Sequence, residues 1–174
     1  MGMRTVVLDP APVEFSALLA RRRRLGLDGG DEVWDGVLHV NPGPHGRHHR
    51  VLQQLAVLLG PAASAAGLVP AIGDFNLGAE DDYRVPDGGL HRPGPDEMYY
   101  ATAALVVEIV SPEDETWQKL PFYAAHGVDE LLIVDPLEPT VHWLGLRGEG
   151  YEPIERSGLI ELGAVDLAEE IEWP

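Results

Sequence analysis

The stretch from Leu105 to Lys119, with the sequence LVVEIVSPEDETWQK, constrains the fold more than any other part of the chain. It opens with an aliphatic run broken by one acid, Glu108, and such a run predicts a buried β-strand. Ser111 and Pro112 follow at once and predict the start of a helix. An ionised glutamate inside a buried strand costs several kcal/mol, roughly, unless a positive partner meets it. We therefore expect a metal ion or a basic side chain beside Glu108.

Two other residues can complete a site with Glu108. Asp87 ends the segment RVPD, and Lys119, the only lysine among 12 basic residues, follows the strand. A buried lysine can lose its proton, whereas an arginine cannot, and this favours a chemical role for Lys119. Two carboxylates and a lysine suit phosphodiester hydrolysis with a divalent cation such as Mg²⁺, where the lysine positions or deprotonates the attacking water. The alternative is a turn cap at Asp87 and a buried ion pair between Glu108 and Lys119, with no chemistry.

The net charge of −17 argues against a generic DNA-binding protein. Residues 1–60 hold seven arginines and six acids, whereas residues 61–174 hold five basic residues and 23 acids. Such a field repels nucleic acid at long range, so phosphodiester chemistry requires divalent cations to offset it. The one basic run, Arg21 to Arg24, suits the C-terminal end of a helix or, as the alternative, a phosphate contact.

Length and composition predict one domain over residues 1–174 that folds alone or as a homodimer. The chain has no cysteine, which excludes disulfides, iron–sulfur clusters and cysteine zinc sites and fits a cytoplasmic location. The N-terminal sequence MGMRTVVLDPAP lacks a long apolar stretch, so we predict neither a signal peptide nor a membrane span.

Apolar periodicity predicts strands and helices on both sides of the Glu108 strand. The segment EVWDGVLHV alternates around the turn-like pair Asp35-Gly36, which predicts a β-hairpin or two short strands. Pro121 disfavours helix in the residue before it and should kink or restart the helix that follows Ser111. The remaining predictions are a helix after the Pro/Gly loop at 41–46, an irregular loop at 88–103, a helix at 112–126, a strand at 130–134 parallel to the Glu108 strand, and antiparallel strands at 140–146 and 151–156.

Histidines cluster at the start of the helix that follows the Pro/Gly loop. His45, His48 and His49 lie there, but the helix supplies no second metal ligand at a spacing of three or four residues. The pattern therefore favours solvated or phosphate-contacting histidines over a zinc site. His48, beside Arg47 and Arg50 at a helix N-terminus, is a candidate anion contact.

The segments RVPDGGL and LVVEIVSPEDETWQKLPFYAAHGVDELLIVDP resemble the Uma-type "putative restriction endonuclease" family of the PD-(D/E)XK nuclease superfamily. The resemblance covers about residues 30–145, including EVWDG and the His48 helix. It implies an α/β restriction-endonuclease-like fold, in which helices flank both faces of a central mixed β-sheet. It also implies that Asp87 and Glu108 meet at the sheet edge and that the substrate is nucleic acid, with DNA expected.

The resemblance also implies roles for individual residues. Asp87 and Glu108 would bind Mg²⁺, or Mn²⁺, with the backbone carbonyl of Ile109 as a third ligand. In the PD-(D/E)XK motif the lysine lies two residues after the second acid, a position that Val110 occupies here. The family that the chain resembles supplies its basic residue from the following helix instead. That residue is Lys119, as the water activator. Supporting residues implied near the site are Glu32, an additional acid, Gln118, a contact to water or phosphate, and His48.

Three functions are compatible with these observations. The leading expectation is a Mg²⁺-dependent endodeoxyribonuclease that acts as a homodimer, since double-strand cutting commonly uses two sites. The rival is a non-catalytic interaction module that keeps the nuclease fold, which the net charge of −17 favours. The third is a zinc hydrolase that uses His45, His48 and His49.

Overall fold

A computed structural model of the chain describes residues 6–8, 15–41, 46–112 and 115–174, the first of these by backbone alone. None of the helices in these ranges combines the length and the apolar character needed to cross a membrane. A 3-10 helix, Thr116–Lys119, runs directly into one of the α-helices. The α-helices are α1 (Ser16–Arg24), α2 (Gly46–Ala65), α3 (Leu120–Ala125) and α4 (Ala164–Glu170). The strands are β1 (Val6–Leu8), β2 (Glu32–Trp34), β3 (Val37–Val40), β4 (Val69–Ile72), β5 (Leu77–Ala79), β6 (Asp82–Arg84), β7 (Gly88–His91), β8 (Leu105–Ile109), β9 (Glu130–Asp135), β10 (Thr140–Arg147) and β11 (Gly150–Pro153).

The larger sheet has six strands in the order β11-β10-β9-β8-β7-β4. β8 and β9 are parallel, with Glu108 opposite Ile133, and every other neighbouring pair in this sheet is antiparallel. Parallel neighbours need a crossover connection, which the 3-10 helix and α3 provide. The predicted parallel pair and the predicted antiparallel pair that follows it, now β10 and β11, are both confirmed.

Side chains of β8 alternate between the two faces of this sheet. Val107 and Ile109 belong to a buried cluster with α2 and α4, whereas Val106 packs with Tyr123 of α3 on the other face. Helices therefore cover both faces of a mixed central sheet, as predicted. Because Glu108 falls between Val107 and Ile109, its side chain points to the α3 face.

The smaller sheet has the order β1-β3-β2-β6-β5, with all neighbours antiparallel. The connection between β2 and β3 turns at Asp35 and Gly36, whose φ values of 49° and 83° are those of a type I′ turn. This confirms the predicted hairpin. The smaller sheet contributes Glu32, the first residue of β2, to the site described below.

The prediction of an irregular loop at 88–103 is wrong at its start, because β7 is a fully buried strand between β4 and β8. A glycine-rich strand carries no alternating apolar pattern, so periodicity does not reveal it. A Cβ on Gly89 would lie 2.6 Å from the Leu105 carbonyl oxygen and 3.0 Å from Phe75 Cζ. Glycine thus permits the close approach that holds β7 against β8.

The helix predicted after the Glu108 strand begins later than expected and in two pieces. Pro112 lies in a turn, residues 113 and 114 lie outside the described residues, and the first helical residue is Thr116. Pro121 occupies the first turn of α3, where its missing N–H has no intrahelical partner to lose. The predicted restart at Pro121 is therefore confirmed, and Lys119 lies in the 3-10 helix ahead of the proline.

Candidate active site

The antiparallel register of β7 and β8 brings Asp87 and Glu108 to the same end of the central sheet. Gly88 pairs with Val107, so Asp87, one residue earlier, faces the position of Glu108, one residue later. Asp87 Oδ2 accepts a hydrogen bond of 2.7 Å from the Ile109 N–H. The two predicted acids therefore lie on neighbouring strands, with Asp87 bonded directly to the residue after Glu108.

Glu108 is 4% exposed and is bonded by the segment that follows β8. Lys119 Nζ lies 3.1 Å from Glu108 Oε1 and 3.5 Å from Oε2. The Tyr123 hydroxyl donates a hydrogen bond of 2.5 Å to Oε1. Lys119 reaches the acid because it lies before Pro121 and is not displaced by the restart of the helix. Tyr123 was not among the predicted site residues, although its spacing of four residues from Lys119 is the spacing that places two side chains on one helix face.

Glu32 holds the other side of Lys119. Lys119 Nζ lies 2.9 Å from Glu32 Oε1, so one ammonium group bridges Glu32 and Glu108. Glu32 Oε1 also accepts the Val85 N–H at 2.8 Å, and Oε2 accepts the Trp34 indole N–H at 2.6 Å. The acid predicted as a supporting residue is 1% exposed and fully bonded. Lys119 therefore joins the smaller sheet to the central sheet.

His48, in the first turn of α2, pairs with Asp87. Its Nε2 lies 2.9 Å from Asp87 Oδ1, and its Nδ1 lies 3.5 Å from Ser111 Oγ. The His48 side chain is 8% exposed and that of Asp87 is 18% exposed. The anion that His48 meets is thus the Asp87 carboxylate. A phosphate contact from His48 stays a prediction.

The buried side of the site brings two acids, Glu32 and Glu108, to one base, Lys119. Burial raises the pKa of Glu108 from an ordinary 4.5 to about 8; Lys119 opposes this shift, and the Asp87 and Glu32 carboxylates add to it. Burial lowers the pKa of Lys119, but the Glu108 and Glu32 carboxylates outweigh burial and raise that pKa above its ordinary value. Lys119 is therefore an ammonium group at neutral pH. This state favours a residue that positions water by donating hydrogen bonds over one that removes its proton.

Negative charge is also concentrated on the Asp87 side. Burial lowers the pKa of His48, but the hydrogen bond and the charge of Asp87 outweigh burial and raise that pKa. Burial and then the Asp87 carboxylate raise the pKa of Asp74, in the connection between β4 and β5. Asp74 was not predicted, because no spacing rule links this connection to Asp87. A surplus of carboxylates is the electrostatic condition that attracts a cation.

The donor atoms at this end of the sheet fit a hard divalent cation. Asp87 and Glu108 offer carboxylate oxygens, and the Ile109 carbonyl points to the same neighbouring strand as its N–H, which bonds Asp87. Mg²⁺ is typically bound by one or two carboxylates and keeps several waters. Across the described ranges, no three His, Cys, Asp or Glu side chains surround a common metal position. The described residues thus lack the three or four protein ligands that zinc takes, and Asp87, Glu108 and the Ile109 carbonyl are the oxygen donors that could hold an ion such as Mg²⁺.

Other residues predicted for the site lie apart from these contacts. The side chains of Gln118 and His49 are exposed, and the His49 ring lies edge-on to His48 with 6.0 Å between centroids. His45 lies outside the described residues. Because His48 is engaged with Asp87, the described residues give no support to a histidine zinc hydrolase.

Three comparisons with known proteins bear on this site. The model of a family, Uma2, described as "Putative restriction endonuclease", matches residues 27–172 and confirms the resemblance identified from the sequence. A search of curated proteins gave no match. Five chains of known structure match, among them "a putative nuclease belonging to DUF820 from Anabaena variabilis ATCC 29413", which is 18% identical with a TM-score of 0.64 over 80% of this chain and 90% of that chain. At that identity the likeness concerns the fold, and it confirms the predicted restriction-endonuclease-like α/β architecture.

Proposed function

Because the chain belongs to the Uma2 family, we propose that it is a metal-dependent nuclease that hydrolyses phosphodiester bonds in DNA. The observation that carries the proposal is the meeting of two acids on neighbouring strands, each with its own basic partner. Lys119 contacts Glu108, and His48 contacts Asp87. A purely structural ion pair between Glu108 and Lys119 would need neither Asp87 nor His48 at the same end of the sheet.

We assign Mg²⁺, or Mn²⁺, to the oxygen atoms of Asp87, Glu108 and the Ile109 carbonyl. The chemistry that such an ion supplies is a lower pKa for a bound water and neutralisation of charge on the phosphate. The chain itself supplies a fixed cation beside these atoms. Glu32 holds Lys119 Nζ at 2.9 Å, and from there the ammonium group donates hydrogen bonds to a water or to a phosphate oxygen.

The remaining contacts orient the two carboxylates. His48 Nε2 holds Asp87 Oδ1, and the Ile109 N–H holds Asp87 Oδ2, so both oxygens of this carboxylate have a fixed direction. The Tyr123 hydroxyl does the same for Glu108 Oε1. Contacts of this outer kind typically contribute about 10- to 100-fold to metal affinity or activity.

The arginines at the end of α1 offer a path for the phosphate backbone despite the net charge of −17. The salt bridge between Arg22 and Asp31, with 2.6 Å between Nη2 and Oδ1, ties the end of α1 to the residue that precedes Glu32 in the chain. The other arginines in the run 21–24 are exposed. We propose that nucleic acid approaches along this end of α1, where positive charge is densest in the chain.

Cleavage of a labelled DNA duplex with Mg²⁺ or Mn²⁺ tests the proposal. Asp87→Asn and Glu108→Gln keep the side-chain shape and remove a charged ligand, so we expect each to reduce the rate more than about 100-fold. Arg147→Gln is the control, because Arg147 lies at the opposite end of β10 from the site, and it should leave the rate unchanged. Full activity in both acid variants would contradict the assigned roles. Single-stranded DNA and RNA of the same sequence identify the substrate.

A non-catalytic interaction module with the same fold is the second candidate. The net charge of −17 favours it, and so does the saturation of Lys119 by two carboxylates. Titration calorimetry separates the candidates: Mg²⁺ or Mn²⁺ binding that Asp87→Asn abolishes supports the nuclease, and no binding at millimolar concentrations supports the module. The homodimer expected for a double-strand nuclease stays a prediction, which sedimentation of the same samples measures.

A further inference from the structure

We propose that Trp117 and His142 form an aromatic platform on which a base of the substrate strand stacks, beside the Asp87–Glu108 site. The inference rests on the proposed nuclease function. It assigns a ligand class, an unpaired nucleic-acid base, to two residues that the hydrolytic site does not use.

Trp117 differs from the other three tryptophans in facing the solvent. It is 49% exposed, whereas Trp143 is 1% exposed, and Trp34 and Trp173 are partly buried with their indole N–H groups bonded within the chain. The rings of Trp117 and His142 lie at 74° with 5.5 Å between centroids. An edge-to-face contact fixes the two rings and leaves ring surface open to a flat partner.

The strand register places the aromatic platform next to the site. Glu108 pairs with Ile133, and Ile133 pairs with His142, so Glu108 and His142 lie on the same face of the central sheet, two strands apart. Two spacings between neighbouring β-strands amount to about 10 Å. This distance equals about three base separations of 3.4 Å along a nucleic-acid strand. Trp117 lies two residues before Lys119 in the 3-10 helix, about 4 Å along its axis. A base close to a phosphate at Glu108 can therefore reach the platform.

The charges around the platform favour a neutral group over a phosphate. Residues 120–146 contain no lysine or arginine, and Asp135 ends β9 while Glu138 lies in the turn that leads to β10. Carboxylates there repel a phosphate, whereas every base presents an uncharged π-face. The proposed phosphate path runs instead along the arginines of α1. The Thr140 hydroxyl, 3.4 Å from His142 Nε2, helps to orient the histidine ring.

The test measures binding of fluorescently labelled oligonucleotides, single-stranded and duplex, by anisotropy with Ca²⁺ in place of Mg²⁺, so that a divalent cation offsets the negative charge of the protein. Gel electrophoresis of the same samples checks that the oligonucleotides stay uncut. Stacking on an aromatic side chain contributes about 1–3 kcal/mol per base, so Trp117→Ala should weaken affinity about 5- to 150-fold. Trp117→Phe keeps an aromatic face and should retain most of the affinity. Val57→Ala, which shortens a side chain that is 73% exposed on α2, is the control and should bind as the wild type does.

Each outcome of this test has a distinct meaning. Weaker binding by Trp117→Ala, with Trp117→Phe close to wild type and an unchanged mass in sedimentation, supports the platform. Wild-type affinity in Trp117→Ala overturns the platform, and cleavage by the wild type then leaves the proposed function standing. A change in oligomeric state without a change in affinity also overturns it, because Trp117 is then a protein contact. Absence of nucleic-acid binding by the wild type overturns both proposals.

Discussion

The two halves of the site are held in different ways. In the closed half, Glu108 is 4% exposed, and Lys119 is shared between it and Glu32 while Tyr123 bonds the same carboxylate. In the open half, the Asp87 side chain is 18% exposed and is held by one histidine of α2 and one backbone N–H. One acid is thus fixed inside a charged network, and the other is partly exposed and has two contacts.

This difference assigns different physical roles to the two halves. Breaking the closed half strands charge in the interior, so its integrity should be measurable as folding stability. The open half keeps contact with water, so its changes should affect ligand binding and rate more than stability.

Lys119→Met is expected to have the largest effect, because it leaves Glu32 and Glu108 buried without their shared cation. Removing one partner from a buried ion pair costs about 3–5 kcal/mol of unfolding free energy. The matching change in the open half, His48→Ala, should cost about 1–2 kcal/mol, because Asp87 stays partly hydrated. Denaturant unfolding followed by circular dichroism measures both. Equal losses in the two variants would remove the distinction between the halves.

Glu108→Gln in the Lys119→Met background tests the cause of that loss. The added change replaces one of the two acids that lost their cation by a neutral amide, which needs neither a buried charge nor a bound proton. The double variant should therefore be more stable than Lys119→Met alone. If it is not, the loss comes from the packing of the lysine stem rather than from stranded charge.

The pH dependence of metal binding should also distinguish the two halves of the site. The pKa of Glu108 in the folded protein is about 8, above its ordinary 4.5. Protonated Glu108 therefore stabilises the metal-free fold fully below pH 4.5, and this contribution is lost as the pH rises through about 8. Metal binding has the opposite sign, because the ligand must be deprotonated. We expect Mg²⁺ affinity, measured by calorimetry, to rise about 100-fold between pH 6 and pH 9.

Glu108→Gln is the matched control for this pH profile. It removes the titrating group, so whatever Mg²⁺ affinity remains should vary little with pH over the same range. An unchanged profile would mean that another group, on the open half, controls the protonation step.

Much of the fold could be predicted because local patterns determine it. The Asp35-Gly36 pair predicts its hairpin through the positive φ values of a type I′ turn. The aliphatic runs of β8 and β9 predict adjacent buried strands. β7 was not predicted as a strand, because its glycines carry no hydrophobic pattern. The close approach of Gly89 to Leu105 exists only after the sheet forms.

The site was predictable to the extent that its residues were anomalous in sequence. Glu108 interrupts an apolar run and Lys119 is the only lysine, so the sequence alone identifies both as candidate site residues. The Glu32 contact with Lys119 joins two sheets, and no spacing along the chain encodes it. The contact between His48 and Asp87 likewise depends on how α2 packs on the central sheet. Residue type can therefore suggest a site, whereas its partners follow from tertiary packing.

His48→Ala tests the open half with the smallest expected effect. His48 Nε2 holds Asp87 Oδ1 at 2.9 Å, so its loss should leave the carboxylate less well oriented and reduce the cleavage rate about 10-fold. His49→Ala is the matched control, because this neighbouring histidine is exposed, and it should cleave at the wild-type rate. His48→Gln retains an N–H donor and should recover part of the lost activity.

These three variants together decide whether orientation of Asp87 is what His48 provides. Recovery in His48→Gln with no change in His49→Ala would tie the effect to the hydrogen bond on Asp87. A neutral glutamine lacks the positive charge of protonated histidine. If His48→Gln binds Mg²⁺ more tightly than the wild type and yet cleaves more slowly, the charge of His48 opposes metal binding while its hydrogen bond aids the reaction. Equal losses in His48→Gln and His48→Ala would instead assign the effect to the imidazole itself, and the open half would then need a role for His48 beyond holding Asp87.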